Sequence, residues 1–214
     1  MLKFEKKWKQ GDQPESGSAF HSSFYHRYFE GYTEAKVQGK NGRKKIMRVY
    51  TGQYYSQNLS DRKWKENKIF FLFLYLTAVV LFIFFAAINK DNNKIWFTEL
   101  SETLVFLAFF WMLYVILNYL AAPRNMTINQ YRSSSVMLIK SGKVATIAAW
   151  FAAVMQIVYV CLPESTDKRY GMICAIAYGF SGLAVWYLTV LESKMKYKKI
   201  LSEGSEMNGF EIQR

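Results

Sequence analysis

Four long apolar runs dominate the hydrophobic pattern: Ile69 to Ile88, Thr103 to Ala122, Val144 to Pro163 and Tyr170 to Leu191. Each holds about the 20 residues that a helix needs to cross a bilayer core of about 30 Å. No Asp, Glu, Lys or Arg interrupts any of them. They are too long for core strands, and they lack the polar face that a helix buried in a soluble protein would show. The pattern predicts an all-α membrane protein with four transmembrane helices. Pro123 and Pro163 stand at span ends, where proline stops a helix. The last two runs are separated only by Glu164 to Arg169, which predicts a tight antiparallel pair.

Composition fits this division. Of 214 residues, 51% are hydrophobic and 18% aromatic, yet the mean hydropathy is close to zero. Apolar residues must therefore be gathered in blocks. Net charge is +12, and its distribution gives an orientation. The segments 1–68, 123–143 and 192–214 hold 24 basic and 11 acidic residues, whereas the two other loops hold 4 and 5. Lys and Arg near spans stay in the cytoplasm. This predicts a multi-pass plasma (cell) membrane protein with both termini inside. The basic start, Met1 to Gln10, has no apolar run after it, so the first span itself is expected to direct insertion. The sequons at Asn58 and Asn125 fall on the predicted cytoplasmic side and are read as chance.

Residues 1–59 form a predicted cytoplasmic region, 60–191 the four-helix membrane domain, and 192–214 a basic tail. Residues 1–18 include the polar stretch Gly11 to Ser18 and read as partly disordered. Phe20, Phe24, Tyr28 and Tyr32 recur every four residues, giving an aromatic face suited to a helix lying in the membrane interface. Residues 32–50 alternate and contain a Gly39 to Gly42 turn signal, predicting a β-hairpin. Such a hairpin needs something to lean on. Ser60 and Asp61 offer an N-cap, so the first helix should begin there and emerge from the membrane before its apolar run. The loop from Pro123 to Lys143 is expected on the inner membrane surface, anchored by Met126, Ile128 and Tyr131.

Candidate chemistry is sparse. His21 and His26, five residues apart, would point roughly 140° away from each other on a helix, with no third ligand nearby; no metal or cofactor is expected. Lys140-Ser141-Gly142-Lys143 lacks the earlier glycine of a phosphate loop. Topology explains the basic residues better than nucleic-acid binding does. Glu99 and Glu102 lie one turn apart at the mouth of the second span, as a solvated helix start or a cation-attracting pair. With Asn118, Gln156 and Ser181 they are candidates for polar contacts within the membrane. Small residues predict close packing of the last two helices: Ala145, Ala149 and Ala153 on one, Gly171, Ala175 and Gly179 on the other, followed by Gly182. The Phe-rich first span should face lipid most. Cys161 and Cys174 could be neighbours in the last hairpin, or be unrelated packing residues.

Arg62, Lys63, Lys65 and Lys68 precede the first span, and Lys194, Lys196, Lys198 and Lys199 follow the last. They serve as topology determinants and are placed to meet anionic lipid headgroups. The leading expectation is a non-enzymatic accessory or scaffold subunit, in contact with membrane lipids and with a protein partner or a second copy of itself. The alternative is a small oligomeric transporter or channel.

Overall fold

A computed structural model describes residues 30, 32–38, 44–50, 52–88, 95–163 and 168–200. The chain divides into two units, one through Thr51 and one from Gly52. In the first, strands β1 (Tyr32–Gln38) and β2 (Lys44–Tyr50) pair antiparallel, with Tyr32 opposite Tyr50 and Gln38 opposite Lys44. The Tyr32 and Tyr50 rings meet edge to face at 5.0 Å. The turn residues between the strands, the aromatic segment from Phe20, and both histidines lie outside the described residues. Tyr32, which the four-residue aromatic spacing would place on a helix, instead begins β1.

The second unit holds four long helices: α1 (Asp61–Ile88), α2 (Trp96–Ala121), α4 (Met137–Cys161) and α5 (Lys168–Lys194). Each is long and apolar enough to cross a membrane. The helices outrun the apolar stretches because a started helix keeps satisfying its backbone groups past the last apolar residue. Between α2 and α4 come a short strand β4 (Asn125–Met126), one helical turn α3 (Ile128–Tyr131) and a π-helical turn, Arg132–Val136. The region expected as an inner-surface loop is thus mostly a helical lead-in to the third span. Thr127 starts it with a capping box: Thr127 Oγ1 accepts from the Gln130 amide, and Gln130 Oε1 accepts from the Thr127 amide at 3.0 Å. Ser133 and Ser134 both donate to the Gln130 carbonyl, at 3.2 and 2.5 Å. Such side-chain bonds compete with the regular helical ladder, which accounts for the wider turn there.

The principal helix contacts are α4 with α5, α2 with α4, and α1 with α5; the α1 and α2 backbones stand farther apart and meet through large side chains such as Phe71, Tyr119, Phe82 and Phe109. The α4–α5 pair is the closest, as the small residues predict. Ala145, Ala149, Ala152 and Ala153 are buried on α4, and Gly171 and Ala175 on α5. Gly179 departs from the expectation, because a Cβ there would meet nothing within 4 Å. The close approaches fall at Gly182 and Gly142. A Cβ on Gly182 would lie 2.5 Å from Trp150 Cδ1 and 3.3 Å from Ala149 Cβ, and one on Gly142 would lie 2.2 Å from Thr189 Oγ1. The glycine of the discarded phosphate-loop hint is therefore a helix-crossing residue.

Helix α1 is the least buried of the four and α5 the most. Phe71, Tyr75, Ala78 and Phe82 form the inward stripe of α1, while Phe70, Phe73 and Phe84 face out. Cys161 is exposed, Cys174 is buried with its Sγ 3.7 Å from the Phe85 carbonyl, and neither is in a disulfide.

A three-stranded antiparallel sheet, ordered β4–β3–β5, closes one end of the bundle, with β3 at Tyr54–Gln57 and β5 at Tyr197–Ile200. Tyr55 lies opposite both Met126 and Lys199. Strand β3 precedes α1, β4 follows α2, and β5 follows α5. Their pairing forces the start of α1 and the ends of α2 and α5 onto the same side. The Arg124 guanidinium adds a tie, donating to the Asp61 carboxylate and, at 2.6 Å, to the Leu59 carbonyl.

Candidate functional site

Two buried carboxylates organise the polar interior, one toward each end of the bundle. Away from the sheet, Glu102 of α2 is only 8% exposed. Its Oε1 accepts from Gln156 Nε2 at 3.0 Å and from the Tyr178 hydroxyl at 2.7 Å. Three helices thereby meet on one oxygen. Glu99 is exposed, so the two glutamates do not act as a pair. Residues three apart on a helix diverge by about 60°, and the edge of the buried face runs between them: Thr98, Ser101, Glu102 and Val105 point in. A carboxylate at such a depth is costly unless polar groups meet it, and Gln156 and Tyr178 supply donors.

At the sheet end, Glu192 is 1% exposed. It receives three hydroxyl donors: Tyr119 Oη to Oε2 at 3.0 Å, Tyr197 Oη to Oε1 at 2.6 Å, and Ser135 Oγ to Oε1. These come from α2, β5 and the π turn, so Glu192 ties the sheet to two spans besides its own. Gln57 of β3 extends the network, its Nε2 reaching Tyr197 Oη at 2.7 Å and Tyr119 Oη at 3.4 Å. Both hydroxyls already give their protons to Glu192, so the amide nitrogen faces them correctly. Gln57 Oε1 is buried and accepts no hydrogen bond among the described residues. Burial first, and then the adjacent Glu192 carboxylate, raise the Tyr197 hydroxyl pKa well above its ordinary value. Tyr55 stacks on Tyr131 at 4.6 Å, and Tyr131 meets Tyr197 edge-on at 4.8 Å, roofing the cluster with rings.

Lys68 belongs to this end too, and departs from the headgroup-facing expectation. It is buried, and its Nζ donates to the Leu120 and Ala122 carbonyls at 2.9 and 2.6 Å. An ammonium there meets the negative end of the α2 dipole and satisfies carbonyls left over at the helix terminus. It also sits 3.9 Å from the Trp64 ring centroid. Arg62 is exposed and pairs with Glu66 one turn on, at 2.7 Å. Lys63, Lys65, Lys194, Lys196, Lys198 and Lys199 are exposed.

Ser181 donates to the Ala78 carbonyl at 2.7 Å, joining α5 to α1. Tyr75 donates to the Phe109 carbonyl at 2.8 Å, joining α1 to α2. Asn118 is half-buried and makes no side-chain hydrogen bond among the described residues.

Sequence reasoning named Glu102 and Gln156 without pairing them, and missed Tyr178, Glu192, Tyr119, Ser135, Tyr197 and Gln57. One signal was available. Ser181, Val185, Leu188 and Glu192 continue a single helical stripe at spacings of four, three and four. That stripe predicts an inward Glu192, despite its place just after the last apolar residue. The chain matches no family model, no curated protein and no solved structure.

Proposed function

We propose that the protein is a non-enzymatic scaffold or accessory subunit of a membrane complex, in the plasma membrane with both termini in the cytoplasm. The observation that carries this reading is the way interior polar groups are engaged. Glu102 holds Gln156 and Tyr178, and Glu192 holds Tyr119, Ser135 and Tyr197. Both carboxylates thus act as ties between helices, which is what a fixed anchor needs. The charge distribution supports the orientation, since the basic segments flank the helix ends that the β4–β3–β5 sheet gathers on one side. Residues 1–59 then face the cytoplasm as the partner-binding region, and the tail from 192 faces the same compartment.

Purification of the full chain in mild detergent should bring a stoichiometric partner along, and deletion of 1–55 should release it. Recovery of the full chain alone, or an unchanged partner after deletion, would refute the reading. Reporter fusions after Asn92, Ser134 and Thr166 should read out, in, out.

A small oligomeric transporter is the second reading, favoured by the buried carboxylate of Glu102 at the mouth of the second apolar run. Ion flux in liposomes that is lost in Glu102→Ala and Gln156→Ala would establish it.

A further inference from the structure

Six lysines at the sheet end of the bundle stand apart from the polar network. Lys63 and Lys65 lie on the first turns of α1; Lys194 ends α5, Lys196 lies in the link that follows, and Lys198 and Lys199 lie on β5. All six are exposed, and none makes an ion pair among the described residues. The fold gathers them: α1 packs on α5, and β5 pairs with β3, the strand that leads into α1. Nearby acids among the described residues are engaged elsewhere. Asp61 is held by Arg124, Glu66 by Arg62, and Glu192 is buried under three hydroxyls. What remains among the described residues is a cluster of like charges with no protein counter-charge.

Depth decides what can neutralise it. The apolar run of α1 begins at Ile69 and that of α5 ends at Leu191. At 1.5 Å per residue, Lys65 stands about 6 Å beyond the first and Lys194 about 5 Å beyond the second. The headgroup layer of a bilayer is about 5–8 Å thick on each side. The backbones of these two lysines therefore fall within a headgroup layer's thickness of the apolar runs, so their side chains can reach lipid phosphates, with Lys63 just outside them. A soluble acidic protein would have to displace headgroups to reach them, whereas an anionic lipid is already there.

We infer that this lysine cluster binds anionic phospholipid headgroups and retains them as annular ligands against α1 and α5. A lysine near an anionic leaflet gains electrostatic energy that falls off within a Debye length, so the binding is salt-sensitive. It holds whether the chain serves as a scaffold or as a transporter.

The test uses the full chain in micelles containing equal phosphatidylglycerol and phosphatidylcholine, with bound lipids counted by native mass spectrometry. Bound phosphatidylglycerol should exceed phosphatidylcholine about tenfold at low salt, and the excess should fall as salt rises. Two variants, Lys63→Gln/Lys65→Gln and Lys194→Gln/Lys196→Gln/Lys198→Gln/Lys199→Gln, should each reduce the excess several-fold. Lys168→Gln/Arg169→Gln, at the opposite end, should leave it unchanged. Equal retention of the two lipids by the natural sequence overturns the inference without any variant having to fold. So does an excess that survives both lysine variants. Displacement of the lipid by polyglutamate, at an ionic strength where sodium chloride leaves it bound, would assign the cluster to an acidic protein, and displacement by inorganic phosphate under the same matched condition would assign it to the free anion; either result overturns lipid binding.

Discussion

Glu192→Ala is the most informative single substitution, because it removes the acceptor shared by three elements. It leaves the hydroxyls of Tyr119 and Ser135, 2% and 1% exposed, without the carboxylate they now meet; Tyr197 is half-buried and can turn toward water. Stranding a buried donor costs about 1–3 kcal/mol, while measured couplings between helices in membranes average only about 0.6 kcal/mol and reach about 1.7. Two stranded donors and one weakened bond therefore sum to about 2–4 kcal/mol. Glu192→Gln keeps one acceptor oxygen and should cost about half as much. Tyr119→Phe removes one donor and should cost about 1 kcal/mol. In the double variant Tyr119→Phe/Glu192→Ala, the loss should fall short of the sum, since the phenylalanine no longer strands a hydroxyl. The assay is reversible unfolding of the detergent-purified protein in SDS, followed by circular dichroism. A Glu192→Ala protein within about 0.5 kcal/mol of the natural one, or strict additivity with Tyr119→Phe, would refute the picture of Glu192 as a shared tie.

Three further outcomes follow from the same geometry. Gly182→Leu should destabilise by about 1–3 kcal/mol, because Ala149 cannot retreat even if Trp150 swings toward lipid, whereas Gly179→Ala should be neutral or stabilise by up to about 1 kcal/mol; equal effects in unfolding experiments would refute the placement of the close crossing. Lys68→Met should cost about 1–2 kcal/mol by uncovering the C-terminal carbonyls of α2, with hydrogen exchange rising first around Leu120 to Ala122; an unchanged exchange pattern there would count against the cap. Tyr178→Phe should cost about 1 kcal/mol and Glu102→Ala about 2, both measured by unfolding in SDS; a Glu102→Ala protein more stable than the natural one would show that the carboxylate is held against its own solvation cost for a purpose other than packing.

The sequence alone determined how many helices are long and apolar enough to cross a membrane, about where they lie, and which two pack closest. Uninterrupted apolar runs have one stable solution in lipid, since every backbone polar group must be satisfied within the segment. Small-residue spacing is likewise local and readable. The tertiary structure decided which small residues carry the crossing. Gly142 and Gly182 do, and Gly179 does not, because the contact depends on the rotation of each helix about its axis. It also decided the fate of the charged groups. Glu99 and Glu102 look alike in sequence, yet only Glu102 points inward; Lys68 looks like its basic neighbours, yet it caps α2. The sheet from β3, β4 and β5 was illegible, because its strands are two to four residues long and come from segments up to 146 positions apart. Such short strands carry almost no periodicity of their own. They form because the helices deliver their ends to one place, and only the packed bundle holds that information.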